Sequence, residues 1–354
     1  MKFLALYLLS ITSLFACTDL VVGTQDGAFI NGRSMEFALP MHSKITLYPR
    51  GLQRQSKAPQ DQQGLAWTSK YGYLAIDCLD QGITTDGMNE QGLSLGLLWF
   101  PGAQYPPVPP LMRDHAVVLQ DFGAWILGNF STVDDVKAAL FSIVVWAEPI
   151  EPIDIPPVHV TIHDAKGHHL VIEFLNGKME ILDNPNGVLT NAPKLEWHLT
   201  NLRNYINLSA VNAGTVSING TVLQPTGQGT GLLGIPGDWT PPSRFVRASL
   251  FKSFAISPKT ASAGINLLEH LLNTVDIPFG TVRGAGGPNH FELTQWVVIK
   301  DMKNKIFYYR TYEDLTLRSI DLKKLNFSAG QNPRSFLMQI TPYHIDMTSK
   351  LGGS

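Results

Sequence analysis

The sequence predicts an α+β protein in which two packed β-sheets are covered by helices, and three observations carry this. Short β-branched or alternating runs recur along the chain, each closed by a turn signature such as Gln25-Asp26-Gly27, Lys166-Gly167 or Asn176-Gly177. Helix-patterned stretches are fewer and stand in groups between the strand runs. The composition is 44% hydrophobic and 16% charged, with 31 glycines and 23 prolines. That balance supplies a large core and many turns, and it excludes a disordered chain.

Taken in order, residues 17–24 are apolar and β-branched, and residues 28–37 return as a second strand after the Asp26-Gly27 turn. Residues 71–78 and 93–100 are further strands, with 86–92 read as the turn between them. A meander follows over 158–163, 168–174 and 179–182, and a last hairpin over 295–300 and 305–312. Four helices are expected. The first runs from a Ser131-Thr132 cap to about 144, with Asp134 and Asp135 in its first turn, where the dipole favours them. The others cover 194–206, 240–255 behind Pro241-Pro242, and 263–275. The proline-rich stretches 105–110 and 148–157 read as surface loops bordering a cleft rather than as linkers. Residues 17–354 are therefore expected to form one domain.

The first sixteen residues behave differently. Lys2 precedes an apolar run over 3–15 broken only by Ser10, Thr12 and Ser13. It is too short to span a bilayer and has the length of a signal-peptide core, so residues 1–16 read as a leader and the protein as exported, periplasmic or secreted. No later stretch approaches the ~20 apolar residues of a membrane span. With 27 basic and 29 acidic residues and no basic run, nucleic acid is excluded as a partner.

The leader ends at Ala16-Cys17, and two chemistries compete there. Leu14-Phe15-Ala16-Cys17 loosely matches a lipoprotein box, which would make Cys17 an acylated anchor of a non-catalytic binding protein. Cleavage alone would instead leave Cys17 as a free N-terminus, with thiol and base on one residue. An α-amine has a pKa of roughly 7.7–8.0, so near neutrality a useful fraction can accept the thiol proton. A neighbouring guanidinium is expected to lower the thiol pKa, and a carboxylate to orient the amine.

Several segments resemble the choloylglycine hydrolase family, the N-terminal-nucleophile amidases that include penicillin V acylases and conjugated bile salt hydrolases. Cys17-Thr18 opening an apolar strand resembles the family's mature N-terminus. The run Asn31-Gly32-Arg33-Ser34-Met35-Glu36-Phe37 is similar to its Gly-Arg-x-x-Asp segment, with Glu36 in place of Asp. Asp86-Gly87-Met88-Asn89-Glu90-Gln91-Gly92 resembles the turn before its central strand. Trp99 follows where relatives carry Asn or Tyr. Val188-Leu189-Thr190-Asn191-Ala192-Pro193 and Pro242-Ser243-Arg244-Phe245 complete the order.

The resemblance implies an αββα N-terminal-nucleophile sandwich that hydrolyses a linear amide through a thioester on Cys17, without metal or cofactor. It implies Arg33 and Arg244 beside the thiolate, Glu36 orienting the amine, and Asn191 with the Trp99 region receiving the oxyanion. It also implies a homo-oligomer, commonly a tetramer, acting on a small-molecule amide. Met35, Phe37, Leu39 and Met41 are expected to line the acyl pocket. Such a lining favours penicillin V or N-acyl homoserine lactones over bile salts. Cys78 reads as a small buried hydrophobe, and His159, His163, His168 and His169 as solvated or structural.

Overall fold

The structure is a computed structural model that describes residues 15–284, 291–338 and 350. The expected leader lies outside these residues except for Phe15 and Ala16. Two antiparallel sheets form the body. In the six-stranded sheet, β1 (Phe15–Gly23) and β2 (Phe29–Phe37) lie between the short strand Val188–Leu189 and the strand Thr294–Asp301, followed by Ile306–Thr311 and Arg318–Asp321. The turn joining β1 to β2 places Gly27 at φ 74°, a conformation glycine adopts without steric cost.

The eight-stranded sheet runs Lys178–Asp183, His169–Leu175, Val158–His163, Ser94–Trp99, Ile83–Asn89, Tyr73–Cys78, Lys44–Tyr48 and Arg334–Leu337. Its central strands are buried along their whole length: Tyr73–Cys78 and Ser94–Trp99 are mostly apolar, whereas Ile83–Asn89 buries Thr84, Thr85, Asp86 and Asn89. The segment expected as a turn at 86–92 is largely strand: Ile83–Asn89 continues through Asp86, and the chain reverses only at Glu90-Gln91.

Helices cover both outer faces. Helix α1 (Leu119–Asn129) packs on the eight-stranded sheet, as does α2 (Val133–Leu140), whose Thr132 cap accepts from the Asp135 N–H as the sequence predicts. A short helix α3 (Leu195–Asn201) precedes α4 (Pro241–Phe254) and α5 (Ala261–Asn273), which pack on the six-stranded sheet. Helix α5 approaches β2 closely because Gly32 has no side chain: a Cβ there would stand 2.5 Å from Leu268 Cδ2. The result is the four-layer αββα sandwich. Among the described residues, no helix is long and apolar enough to cross a membrane.

Candidate active site

The register of β1 against β2 sets the site. Cys17 pairs with Met35, Asp19 with Arg33, and Ala16 with Glu36. Side chains alternate across a strand. Cys17, Asp19, Arg33 and Met35 therefore share the face turned to the second sheet, whereas Thr18, Ser34 and Glu36 face the helices.

Cys17 is 2% exposed, and its Sγ lies 3.8 Å from Arg33 Nη2 and 3.8 Å from Met35 Sδ. Arg33 is fully buried and held from several sides. Its Nη1 donates to the Thr85 carbonyl at 2.6 Å and to Asp86 Oδ2 at 3.2 Å, and its Nη2 donates to the Leu97 carbonyl. Lys300 Nζ meets the other Asp86 oxygen at 2.7 Å, and the guanidinium lies 5.4 Å from the Trp296 ring centroid. Gly96 leaves the room for this: a Cβ there would stand 3.3 Å from both Arg33 Cδ and Asp86 Oδ2.

Distant segments close the other side. The main-chain N–H of Cys17 donates to Asn191 Oδ1 at 2.9 Å, and Arg244 Nη2 donates to the same oxygen at 2.6 Å. Asn191 Nδ2 donates to the Trp99 carbonyl at 2.7 Å. Two donors against Oδ1 and an acceptor against Nδ2 determine which way the amide points, and one Nδ2 hydrogen remains beyond the bond to Trp99. Arg244 Nη1 also donates to the Cys17 carbonyl and, at 2.7 Å, to Thr18 Oγ1.

An almost wholly apolar cavity of about 60 Å³ opens at Cys17 between the sheets. Met35, Phe37 and Met41 line this cavity, together with Cys78, Leu97 and Trp99 of the second sheet. Phe37 and Trp99 meet edge to face with ring centroids 5.9 Å apart. Ile150, Ile153 and Pro156 complete the wall, so the 148–157 loop does border the cleft, braced by Tyr105 Oη on the Pro156 carbonyl at 2.7 Å. Leu39 does not line this cavity. It packs half-buried against the core, where its carbonyl accepts Gln295 Nε2 at 2.7 Å. Cys78 is buried as anticipated, and burial pushes its thiol up to about 12.

Burial raises the Cys17 thiol pKa; Arg33 lowers it as expected and Arg244 adds to that, but desolvation outweighs both. The expectation for Glu36 is corrected. Glu36 makes no hydrogen bond to Cys17, because it stands opposite Ala16 on the helix-facing side. It accepts instead from Thr294 Oγ1 at 2.9 Å, and burial lifts its pKa to about 8 against the pull of Arg244. The group that orients the Cys17 nitrogen is Asn191. The sequence reading also missed Glu292, raised by burial to about 7 near Arg244, and the Asp86–Lys300 support of Arg33. His159 and His163 are buried, so of the two readings the structural one holds for them.

Residues 17–336 match the model of the linear amide C–N hydrolases, choloylglycine hydrolase family. The chain belongs to the choloylglycine hydrolase family. The bile salt hydrolase/transferase of Clostridium perfringens (strain 13 / Type A) is 33% identical over 320 residues, 89% of this chain and 95% of that protein. The penicillin V acylase of Pectobacterium atrosepticum is 28% identical over 318 residues, 84% of this chain and 78% of that one. Two crystal structures of the Clostridium perfringens conjugated bile acid hydrolase match at 30% identity, with TM-scores of 0.81 and 0.82. They cover 94% of this chain and 99% and 100% of theirs. One has alanine for a cysteine at its second position. The other has leucine for an arginine sixteen positions later, the spacing from Cys17 to Arg33 here. As a member of this family, the protein is an amidohydrolase of linear amides.

Proposed function

We propose that cleavage after Ala16 makes Cys17 the N-terminal nucleophile of an exported enzyme, and that its own α-amine is the base. The observation that carries this is the Cys17 nitrogen held by Asn191 Oδ1 at 2.9 Å while Arg33 stands 3.8 Å from Sγ. Once free, that nitrogen keeps one hydrogen on Asn191 and directs its lone pair to the thiol. The amine takes the thiol proton as sulfur adds to the amide carbonyl carbon. The oxyanion receives the remaining Asn191 Nδ2 hydrogen and the main-chain N–H of Trp99, which leaves its strand on the same side as the carbonyl holding Asn191. Each such donor contributes about 2.7–4 kcal/mol of barrier lowering. Collapse breaks the C–N bond, the ammonium returns its proton to the leaving amine, and a thioester remains. Water then adds to the thioester, losing its proton to the same amine, and the acid departs as the thiol reforms.

The substrate class that fits is an aryl-acyl or fatty-acyl amide, such as penicillin V or an N-acyl homoserine lactone. The hydroxyls of a bile acid would find Thr85 as the only hydroxyl among the described residues of the cavity wall, and Thr85 Oγ1, which donates to the Ile76 carbonyl at 2.9 Å, has only acceptor capacity left for them. A buried hydroxyl without a partner costs about 1–3 kcal/mol. A bile salt is the second reading, supported by the 33% identity to the Clostridium perfringens bile salt hydrolase/transferase. Self-association, to a tetramer by resemblance, is supported by the hairpin Val216–Ile218 and Thr221–Leu223, whose Val216, Ile218, Val222 and Leu223 side chains are all exposed.

Two measurements test the proposal. Mass spectrometry of the protein recovered after export is expected to show a free Cys17 terminus, and an acylated Cys17 would refute the enzymatic reading. Side-by-side kcat/KM is expected to favour penicillin V over glycocholate, and a preference of about tenfold the other way would establish the bile salt reading.

A further inference from the structure

The segment carrying Asn191 has no sheet to hold it. The ladder between β1 and the strand Val188–Leu189 ends at Asp19 and Leu189, two residues short of Asn191. From Thr190 the chain turns away, and the carbonyls of Thr190 and Asn191 are met by two fully buried imidazoles. His159 Nε2 lies 2.9 Å from the Thr190 carbonyl, and His198 Nε2 lies 2.9 Å from the Asn191 carbonyl. A carbonyl oxygen only accepts, so both Nε2 atoms carry hydrogen.

Each imidazole is itself held. His159 stacks on Phe100 with centroids 4.6 Å apart and planes 7° apart, so it sits directly beside Trp99, whose carbonyl anchors the Asn191 amide. Its Nδ1 is 3.4 Å from Glu173 Oε1, which also accepts the Leu195 N–H at the start of α3 at 2.8 Å. His198, one turn into α3, stacks on Phe245 at 4.6 Å and 15°. Phe245 follows Arg244, which donates to Asn191 Oδ1. Burial holds the His198 pKa down at about 4, which keeps a single ring proton near neutrality.

We propose that His159 and His198 are positioning residues that fix the Asn191 main chain, and through it the angle at which its side-chain amide meets the Cys17 nitrogen and the oxyanion. The pair stands in for the missing ladder and ties the Trp99 strand, α3 and the Arg244 helix to one amide. The inference rests on the role given to Asn191 above. A misplacement of about 1 Å at such a group costs about 10²-fold in rate.

The test compares His198→Leu with His198→Gln in penicillin V hydrolysis, with Cys17→Ala as control. Leucine keeps apolar volume and removes the donor. Glutamine carries an N–H to nearly the same place but is polar. His198→Leu is expected to lose about 10²-fold in kcat with KM changed by less than about threefold, and His198→Gln to recover most of it. A packing role alone predicts the opposite order, since leucine suits the stack against Phe245 better. Unchanged kcat in folded His198→Leu overturns the inference while an inactive Cys17→Ala leaves the Cys17 reading standing; turnover by Cys17→Ala refutes that reading instead. Should the variants not fold, nitrogen-15 shifts of histidine-labelled unaltered enzyme decide: a neutral Nε2–H form at His198 supports the inference, and an Nδ1–H form overturns it.

Discussion

Asn191 Oδ1 accepts the main-chain N–H of Cys17 at 2.9 Å across 174 positions of sequence. One amide thereby touches the Cys17 nitrogen, the Arg244 guanidinium and the strand of Trp99. Asn191→Ala is expected to lower kcat by about 10²–10³, or roughly 2.7–4 kcal/mol, with a smaller effect on KM. Steady-state kinetics on protein whose fold is verified by circular dichroism checks this.

Cys17→Ala is expected to abolish hydrolysis without unfolding the protein, and Cys17→Ser to leave little activity, because the same amine must then activate a far less acidic hydroxyl. Intact-mass measurement during turnover should show the acyl adduct only on the unaltered enzyme. A variant blocked for cleavage before Cys17 should be equally silent, since a peptide nitrogen is not a base.

Glu36 gives a pH signature. Its carboxyl moves from an ordinary 4.5 to about 8 on burial. Between those values the folded chain keeps a proton that the unfolded chain has released, so stability falls as pH rises from about 4.5 and levels off above about 8. The full loss is at most about 5 kcal/mol. Glu36→Gln is expected to remove this slope and to gain stability over the unaltered chain as pH rises. Denaturant melts at pH 5 and pH 8 on both proteins check it; parallel behaviour would refute the assignment.

Gly96→Ala should act on the thiol without touching it. Its methyl would press on Arg33 Cδ and Asp86 Oδ2, each 3.3 Å away, inside a fully buried ion pair. Overpacking of this kind costs about 1–3 kcal/mol. The expected outcome is lower stability and slower alkylation of Cys17 by iodoacetamide at a fixed pH. Unchanged alkylation would mean that Arg33 does not tune the sulfur.

What the sequence disclosed was local. The β1–β2 hairpin is visible in an apolar, β-branched run turned back at Asp26-Gly27, and α2 in its Thr132 cap. Helix α1 escaped notice because it is buried on most sides and its preceding residue, Val118, offers no capping side chain, so it carries neither a polar face nor a start signal. In the site, Cys17, Arg33, Asn191 and Arg244 were legible because each sits in a recognisable segment, and the fold brings all four together. The misplacement of Glu36 was a matter of face: an offset of one position relative to Cys17 in the ladder turns a side chain to the opposite side of the sheet. Lys300 and His159 acquire their partners through long-range packing that no periodicity records, and His198 meets the Asn191 carbonyl across a turn that carries no hydrophobic pattern.

Ala16 is 4% exposed and paired with Glu36, while Cys17 is 2% exposed. A peptidase needs an accessible, extended chain to grip, and the bond between these residues is accessible only before the two sheets close over it. On the proposed maturation, cutting and folding therefore compete. A chain cut first would fold around a new terminus, whereas one that folded first would shield its own processing site and persist as a well-packed but silent bystander.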